Sequence, residues 1–282
     1  MAKQVVSVPG INTDLACNRQ VQAALSLLES EPLRDPRSSR WVDRLSSSLK
    51  PSRFAHSLSV AWMSRRLARI HGIDDLRAEQ AGLLHDCAKC LPLDEMQRIA
   101  VEHSLTDDQA MLASGALLHS VVGAWVARED YGMTDPEVLQ AISYHNTGFP
   151  GMTRLDMCVC LSDSIEPLRE SYPHLEQVRS LAELSLERAL LLSLEGTADY
   201  VTSRGKYLHP RTQNTIAWLK TQIKLVTSYC FIYHIIMSEG ESGSEKAFRS
   251  HDKKEETKCR IRNYLSVWLS CSTTGRPGTL SS

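Results

Sequence analysis

Leu84-His85-Asp86-Cys87-Ala88-Lys89 is the stretch on which the reading of this chain turns. Adjacent His85 and Asp86 offer one borderline nitrogen ligand and one hard oxygen ligand. That mix suits Fe, Mn, Zn or Mg better than a purely soft site would. Leading into the pair, Leu76, Ala81, Leu83 and Leu84 recur at helical spacing. The pattern predicts a helix opened by Asp74 or Asp75, running to Lys89 and stopped by Pro92. On such a helix Lys89, three residues after Asp86 and four after His85, shares their face.

Working outward, the same periodicity recurs and period-two alternation is absent, so the chain reads as all-α. Phe54, Leu58, Ala61, Met63, Leu67 and Ile70 mark a helix ended by Gly72. Leu112 to Asp130 reads as another, with Gly132 past its end. Thr134-Asp135-Pro136 is a start signal with Pro at the first helical position, for a helix reaching Tyr144-His145. Asn146 to Gly151 is a loop. Thr153 and Asp156 resemble a capping box opening a helix that carries Asp163 and closes before Pro167. Further helices are expected at about 175–195 and 210–237. Val21 to Leu28 suits a short helix, and 31–40 reads as a linker. Beyond 238 the chain turns polar and reads as flexible to about 258. Arg260 to Cys271 could form an amphipathic turn or two, and the last ten residues read as disordered. No internal repeat is visible. The expected organisation is an extension over 1–40, a helical domain over 41–222 and a partly helical, partly disordered tail over 223–282.

The chain has 282 residues, 42% of them apolar, and a net charge of −1. That near-neutral balance argues against a nucleic-acid polymer as partner. No basic segment followed by an apolar run marks a secretory signal. Ile223 to Met237 is too short to span a membrane, which takes ~20 apolar residues. With eight cysteines and no signal, free thiols in a reducing cytoplasm are the simplest reading. Cys87-x-x-Cys90 with Cys158-x-Cys160 could instead hold zinc, or Cys87 and Cys90 form a redox pair.

A lone histidine is usually a packed or surface residue, and His71, His103, His174, His234 and His251 are read that way. His56, His85-Asp86, His119, His145 and Asp163 differ, because they fall on five successive predicted helices. Burying so many ionisable groups is costly unless a metal or hydrogen bonds compensate. Arg53, Lys89 and Arg169 add three cations near that set. Charge-assisted contacts of this kind suit an anionic substrate with several phosphates. Together these residues point to a metal-dependent phosphohydrolase.

Arg53-Phe-Ala-His56, Leu84-His85-Asp86-Cys-Ala-Lys89, Leu118-His119, Tyr144-His145-Asn-Thr-Gly148 and Leu161-Ser-Asp163-Ser-Ile-Glu166-Pro167-Leu-Arg169 resemble the HD-domain superfamily. More narrowly they resemble its bacterial symmetrical bis(5′-nucleosyl)-tetraphosphatases, and Leu208-His209-Pro210-x-Thr212 resembles that family's late motif. The resemblance covers about 41–220. It implies an HD-domain helical bundle with one ion, most often iron, on His56, His85, Asp86 and Asp163. His119 and His145 could hold a second. It implies substrate contacts from Arg53, His56, Asp86, Cys87, Ala88, Lys89, His119, His145, Asn146, Asp163, Arg169 and the segment Lys206, Tyr207, Leu208, His209, Pro210 and Arg211. The implied catalytic residues are Asp86, Lys89 and His119, with His119 a candidate to protonate the leaving group. The implied reaction converts diadenosine tetraphosphate to two ADP, in the cytoplasm, by a protein that could be a homodimer. The chain departs from the family pattern at Asn146, where Thr is more usual, and at Ser162 and Ser164. The tail after about 222 has no counterpart.

Two other readings stay open. One is an HD phosphohydrolase acting on nucleoside mono- or triphosphates, told apart by its products. The other is a catalytically silent nucleotide- or metal-sensing module, whose mark would be a missing ligand or Lys. None is missing.

Overall fold

The computed structural model describes Leu15 and residues 17–239, with side chains as far as Lys224. The expected flexible stretch after 238, the Arg260–Cys271 segment and the disordered end lie outside the described residues, as do His251 and the side chain of His234. Residues 1–225 form one compact unit and 226–282 a second. Of the second, only the end of a helix is described.

Twelve helices, and no strand, make up the regular structure among the described residues. They are α1 (Arg19–Ser30), α2 (Ser38–Ser48), α3 (Pro51–His71), α4 (Asp75–Leu84), α5 (Leu93–Glu102), α6 (Gln109–Leu112), α7 (Gly115–Tyr131), α8 (Pro136–Tyr144), α9 (Arg154–Ile165), α10 (Leu175–Ala182), α11 (Leu186–Ser203) and α12 (Pro210–Glu239). The start signals hold in detail. Asp74 and Asp135 cap the first turns of α4 and α8 with their side chains, and Thr153 and Asp156 form a reciprocal capping box.

Long α3 is the central element. It packs on α1, α2, α4 and α9, while α8 packs on α4, α7 and α9. It is buried almost all round, so the single apolar face expected for it is replaced by core contact on several sides. Small residues let α4 come close. A Cβ on Gly82 would lie 2.7 Å from Ser64 Oγ and 3.0 Å from the Val60 carbonyl oxygen.

Several boundaries differ from expectation. Helix α4 ends at Leu84, not Lys89, and the chain continues through tight turns in which Cys87, Lys89 and Leu91 amides bond to carbonyls three residues back. His85 and Asp86 therefore stand at a helix end rather than on a helix flank. The helix expected from Leu112 is two, α6 and α7, and the one expected over 175–195 breaks before Ser185, which caps α11. Helix α5, with Met96, Ile99 and Ala100 buried, is a further helix that the sequence reading does not include.

The segment expected as a linker is tied down. Arg65 and Glu79, each 1% exposed in the side chain, pair at 2.7 Å. The other Glu79 oxygen accepts from the Arg34 amide, and Asp35 is buried against Gln80. Such polar residues read as solvated in a sequence because their partners lie far along the chain.

Candidate active site

The ends of α4 and α8, the second turns of α3 and α7 and the last turn of α9 converge on one point. His56 Nε2 lies 3.2 Å from His85 Nε2 and 3.0 Å from Asp163 Oδ1. His85 Nε2 lies 3.4 Å from Asp86 Oδ2. On the other side of Asp86, His119 Nε2 is 3.1 Å from Oδ1 and 3.2 Å from His145 Nε2. Two triads could each hold a metal ion, His56-His85-Asp163 and His85-Asp86-His145, sharing His85.

The rings are aimed by what holds their other nitrogen. His85 Nδ1 lies 2.7 Å from the Gly82 carbonyl and His145 Nδ1 lies 2.8 Å from that of Ile142. Both histidines occupy helix C-cap positions, where the last carbonyls lack backbone donors. An imidazole N–H at Nδ1 satisfies such a carbonyl and leaves the Nε2 lone pair facing inward. His119 Nδ1 likewise sits 3.2 Å from the Gly115 carbonyl, one turn back. His56, in the second turn of α3, finds no such carbonyl partner. Its Nδ1 instead meets Glu166 Oε1 at 3.1 Å, and Ser59 donates to the other Glu166 oxygen at 2.6 Å. A carboxylate or carbonyl behind a histidine is the usual way to fix a metal-binding tautomer.

The electrostatics call for a cation. Asp86 Oδ1 is buried and receives no hydrogen bond. Burial would raise the Asp86 carboxyl pKa, but His85, His119 and Lys89 hold it well below the usual range. For Asp163 burial is likewise outweighed, chiefly by the His56 hydrogen bond. Burial alone would lower the His56 pKa, yet Asp163 and Glu166 raise it, so the site draws positive charge onto that ring. Burial, with His85 and His119 close by, brings His145 down to about 3, so this imidazole is neutral. A buried oxygen with no donor beside the neutral His145 ring fits a divalent ion.

Three cations stand over this buried layer, each about one-third exposed. Arg53 Nη1 is 2.6 Å from Asp86 Oδ2, Lys89 Nζ is 3.7 Å from Oδ1, and Arg169 Nη2 is 3.8 Å from Asp163 Oδ1. Lys89 Nζ also lies 2.9 Å from His119 Nε2.

Beside the centre opens a cleft of about 670 Å³. Asn146, Lys206, Tyr207, Leu208 and His209 line it, facing Ala110, Ala113 and Ala116. Tyr200, which the sequence did not single out, shares the rim with Tyr207, and both are more than half exposed. Other expected contacts lie elsewhere. Cys87 and Ala88 are buried, with the Cys87 thiol turned to the Gly123 carbonyl. Pro210 is the first residue of α12, and the Arg211 guanidinium covers the Tyr144 ring. Among the described residues no cysteine joins a candidate metal cluster, and Cys87, Cys90, Cys158 and Cys160 are free thiols. Glu166 stands within a recognisable stretch of sequence that does not reveal its role; Ser59 and Asp108, the partner of His209, carry no sequence signal.

The HD domain family matches residues 53–168. Over 167 residues the chain is 35% identical to the symmetrical bis(5′-nucleosyl)-tetraphosphatase of Halalkalibacterium halodurans, covering 59% of this chain and 88% of that protein. It is 34% identical to the protein of the same name from Bacillus subtilis over 171 residues, covering 61% and 91%. A solved structure from Clostridium acetobutylicum, described as an HD superfamily hydrolase involved in NAD metabolism, matches with TM-score 0.61 and 32% identity, covering 66% of this chain and 97% of that one.

Proposed function

The chain belongs to the HD-domain family of symmetrical bis(5′-nucleosyl)-tetraphosphatases, and from that premise we propose that it hydrolyses diadenosine tetraphosphate and related dinucleoside polyphosphates at the central bridge to two nucleoside diphosphates. The observation that carries this reading is the layering of the site: a buried His/Asp cluster around the orphaned Asp86 Oδ1, three part-exposed cations above it, and a cleft of about 670 Å³ alongside, with room for a nucleoside. His56, His85, Asp86 and Asp163 are the ligands we assign to a divalent ion, with iron expected and manganese, zinc or magnesium able to replace it. When bound, that ion would supply Lewis acidity at a phosphoryl oxygen and an activated water.

The chain's own residues do the rest. Water's oxygen forms a bond to one of the two central phosphorus atoms while the bridging P–O bond breaks, and the departing ADP keeps the bridge oxygen. Lys89, Arg169 and Arg53 neutralise the phosphoryl oxygens, because charge-assisted contacts are the strong ones for phosphate. Burial lowers the His119 pKa, so its ring is an acceptor in the resting site. Lys89, 2.9 Å from His119 Nε2, is then the resident proton carrier near the leaving oxygen. The neighbouring cleft takes a nucleoside end. No described helix is long and apolar enough to cross a membrane. With every described cysteine a free thiol, we place the reaction in the cytoplasm.

The test is purification without chelators, metal analysis, and chromatography of the products from diadenosine tetraphosphate. Bound metal with ADP as sole product is the expected result. A nucleoside plus phosphate from mononucleotides would point to another HD phosphohydrolase. Absence of both metal and turnover would leave a silent sensor.

A further inference from the structure

His209 lines the cleft, yet both of its ring nitrogens are engaged by the protein itself. The Arg211 amide N–H donates to His209 Nδ1 at 3.1 Å. That bond places the neutral ring's proton on Nε2, which lies 2.9 Å from Asp108 Oδ2. The ring is 4% exposed in its side chain, and Asp108 is one-third exposed. The other Asp108 oxygen, Oδ1, accepts from the amides of Ala110 and Met111 and so starts α6. One carboxylate thus fixes two walls. Through Oδ1 it shapes the backbone that presents Ala110 and Ala113. Through Oδ2 it grips the head of α12 and the Lys206–Leu208 segment before it, 101 residues away. Asn146 Nδ2 also donates across the cleft, to the Ala116 carbonyl at 2.5 Å, but it is the Asp108–His209 bond that joins α6 to the head of α12. His209 and the hydrogen bonds to Ala110, Met111 and His209 all hold the Asp108 pKa below its ordinary value, against burial.

We propose that Asp108, acting through His209, is a positioning residue that latches the two walls of the cleft at the separation a nucleoside needs. The proposal rests on the nucleotide reading of this cleft. It also makes His209 a strut rather than a substrate contact. Rigid pre-alignment of binding walls raises affinity by removing the cost of ordering them when ligand arrives. A latch of this kind moves binding more than the chemical step, since Asp108 touches neither the phosphates nor the His/Asp centre.

The experiment measures ADP binding by titration calorimetry on the full-length, metal-loaded protein, alongside KM and kcat for diadenosine tetraphosphate. Asp108→Asn keeps a carbonyl oxygen to cap α6 but cannot accept from His209 Nε2–H while capping. A hydrogen bond to a charged group contributes on the order of ten- to a hundredfold. Asp108→Asn is therefore expected to weaken ADP binding and raise KM by about tenfold, with kcat changed far less and metal content unchanged. Asp108→Ser, a strong helix cap that is too short to reach His209, should do the same if the asparagine variant folds poorly. His209→Leu, which keeps bulk but has no N–H to donate to Asp108, should reproduce the loss, and the double variant should be no worse than the worse single one. ADP affinity equal to wild type in Asp108→Asn, additive losses in the double variant, or a loss confined to kcat would each overturn the latch. So would a wild-type protein that does not bind ADP. A wild type that binds ADP but produces none from diadenosine tetraphosphate would sink the hydrolase reading while leaving the latch comparison decisive.

Discussion

Replacing Glu166 with Gln isolates the one histidine of the His/Asp centre whose aim depends on a distant side chain. Glu166 is 3% exposed and uses both carboxylate oxygens, one toward His56 Nδ1 at 3.1 Å and one toward the Ser59 hydroxyl at 2.6 Å. Glutamine keeps the shape but offers one acceptor and one N–H₂ donor. If the oxygen stays on Ser59, the amide faces His56 Nδ1 and forces its proton onto Nε2, which then points at His85 Nε2 and Asp163. If the amide rotates, Ser59 can only accept, and Leu168's amide, also held by Glu166, loses its partner. Either way one charge-assisted bond disappears, a loss of about 1.5–3 kcal/mol. Each 1.36 kcal/mol is tenfold, so metal affinity should fall about 10- to 100-fold, the range typical of groups behind a ligating histidine. The assay is competition for the metal against a chelator of known affinity, with far-UV circular dichroism to confirm the fold. Metal affinity within about twofold of wild type would refute the argument that Glu166 sets the His56 tautomer.

Asp86→Ala should abolish metal retention and turnover while helicity is kept, because Asp86 lies in the turns after α4; full activity would remove it from the site. Lys89→Ala should lower kcat by about 100-fold or more with metal still bound, and kinetics matching wild type would show that its ammonium does not meet the phosphates. Gly148→Ala should destabilise the fold by about 3 kcal/mol, measured by urea unfolding. Its φ is +60°, a left-handed position costing about 1–2 kcal/mol for alanine, and the new Cβ would meet Thr215 Cγ2 at 2.7 Å. Acid should unfold the protein partly through Asp75, whose carboxyl pKa is lowered by the Arg69 hydrogen bond and by Arg34. A depressed folded pKa contributes stability above the unfolded value of about 4 and loses it as pH falls through the folded value. The decline in Tm below about pH 5 should therefore be shallower in Asp75→Asn, and parallel profiles would count against the pairing.

The all-α class was legible because helical periodicity and side-chain caps are local. Asp74, Asp135 and Thr153 announce their helices within three residues. The extent of α4 was not legible. Leu84 to Lys89 carries no breaker, and what ends the helix is the chain's need to turn His85 and Asp86 inward, a tertiary demand. Helix α5 was legible in principle, since Leu93, Met96, Ile99 and Ala100 recur at helical spacing just after Pro92. The 31–40 segment was misjudged because Asp35, Arg65 and Glu79 find one another only after folding.

The same division between local and distant partners runs through the site. His85, His119 and His145 each find a carbonyl three or four residues back, so each carries its own orientation wherever its helix end is placed. A sequence shows such residues as bare histidines at helix ends, and that is enough to place them. His56, within α3, pairs instead with Glu166, 110 residues on, and needs it to aim its ring. His209 repeats the arrangement at the cleft with Asp108. Motif spacing therefore reaches the groups that face the substrate and passes over the carboxylates behind them. Those carboxylates decide whether the facing groups are in the right protonation state and place, so substitutions there should separate metal affinity, at Glu166, from nucleotide affinity, at Asp108.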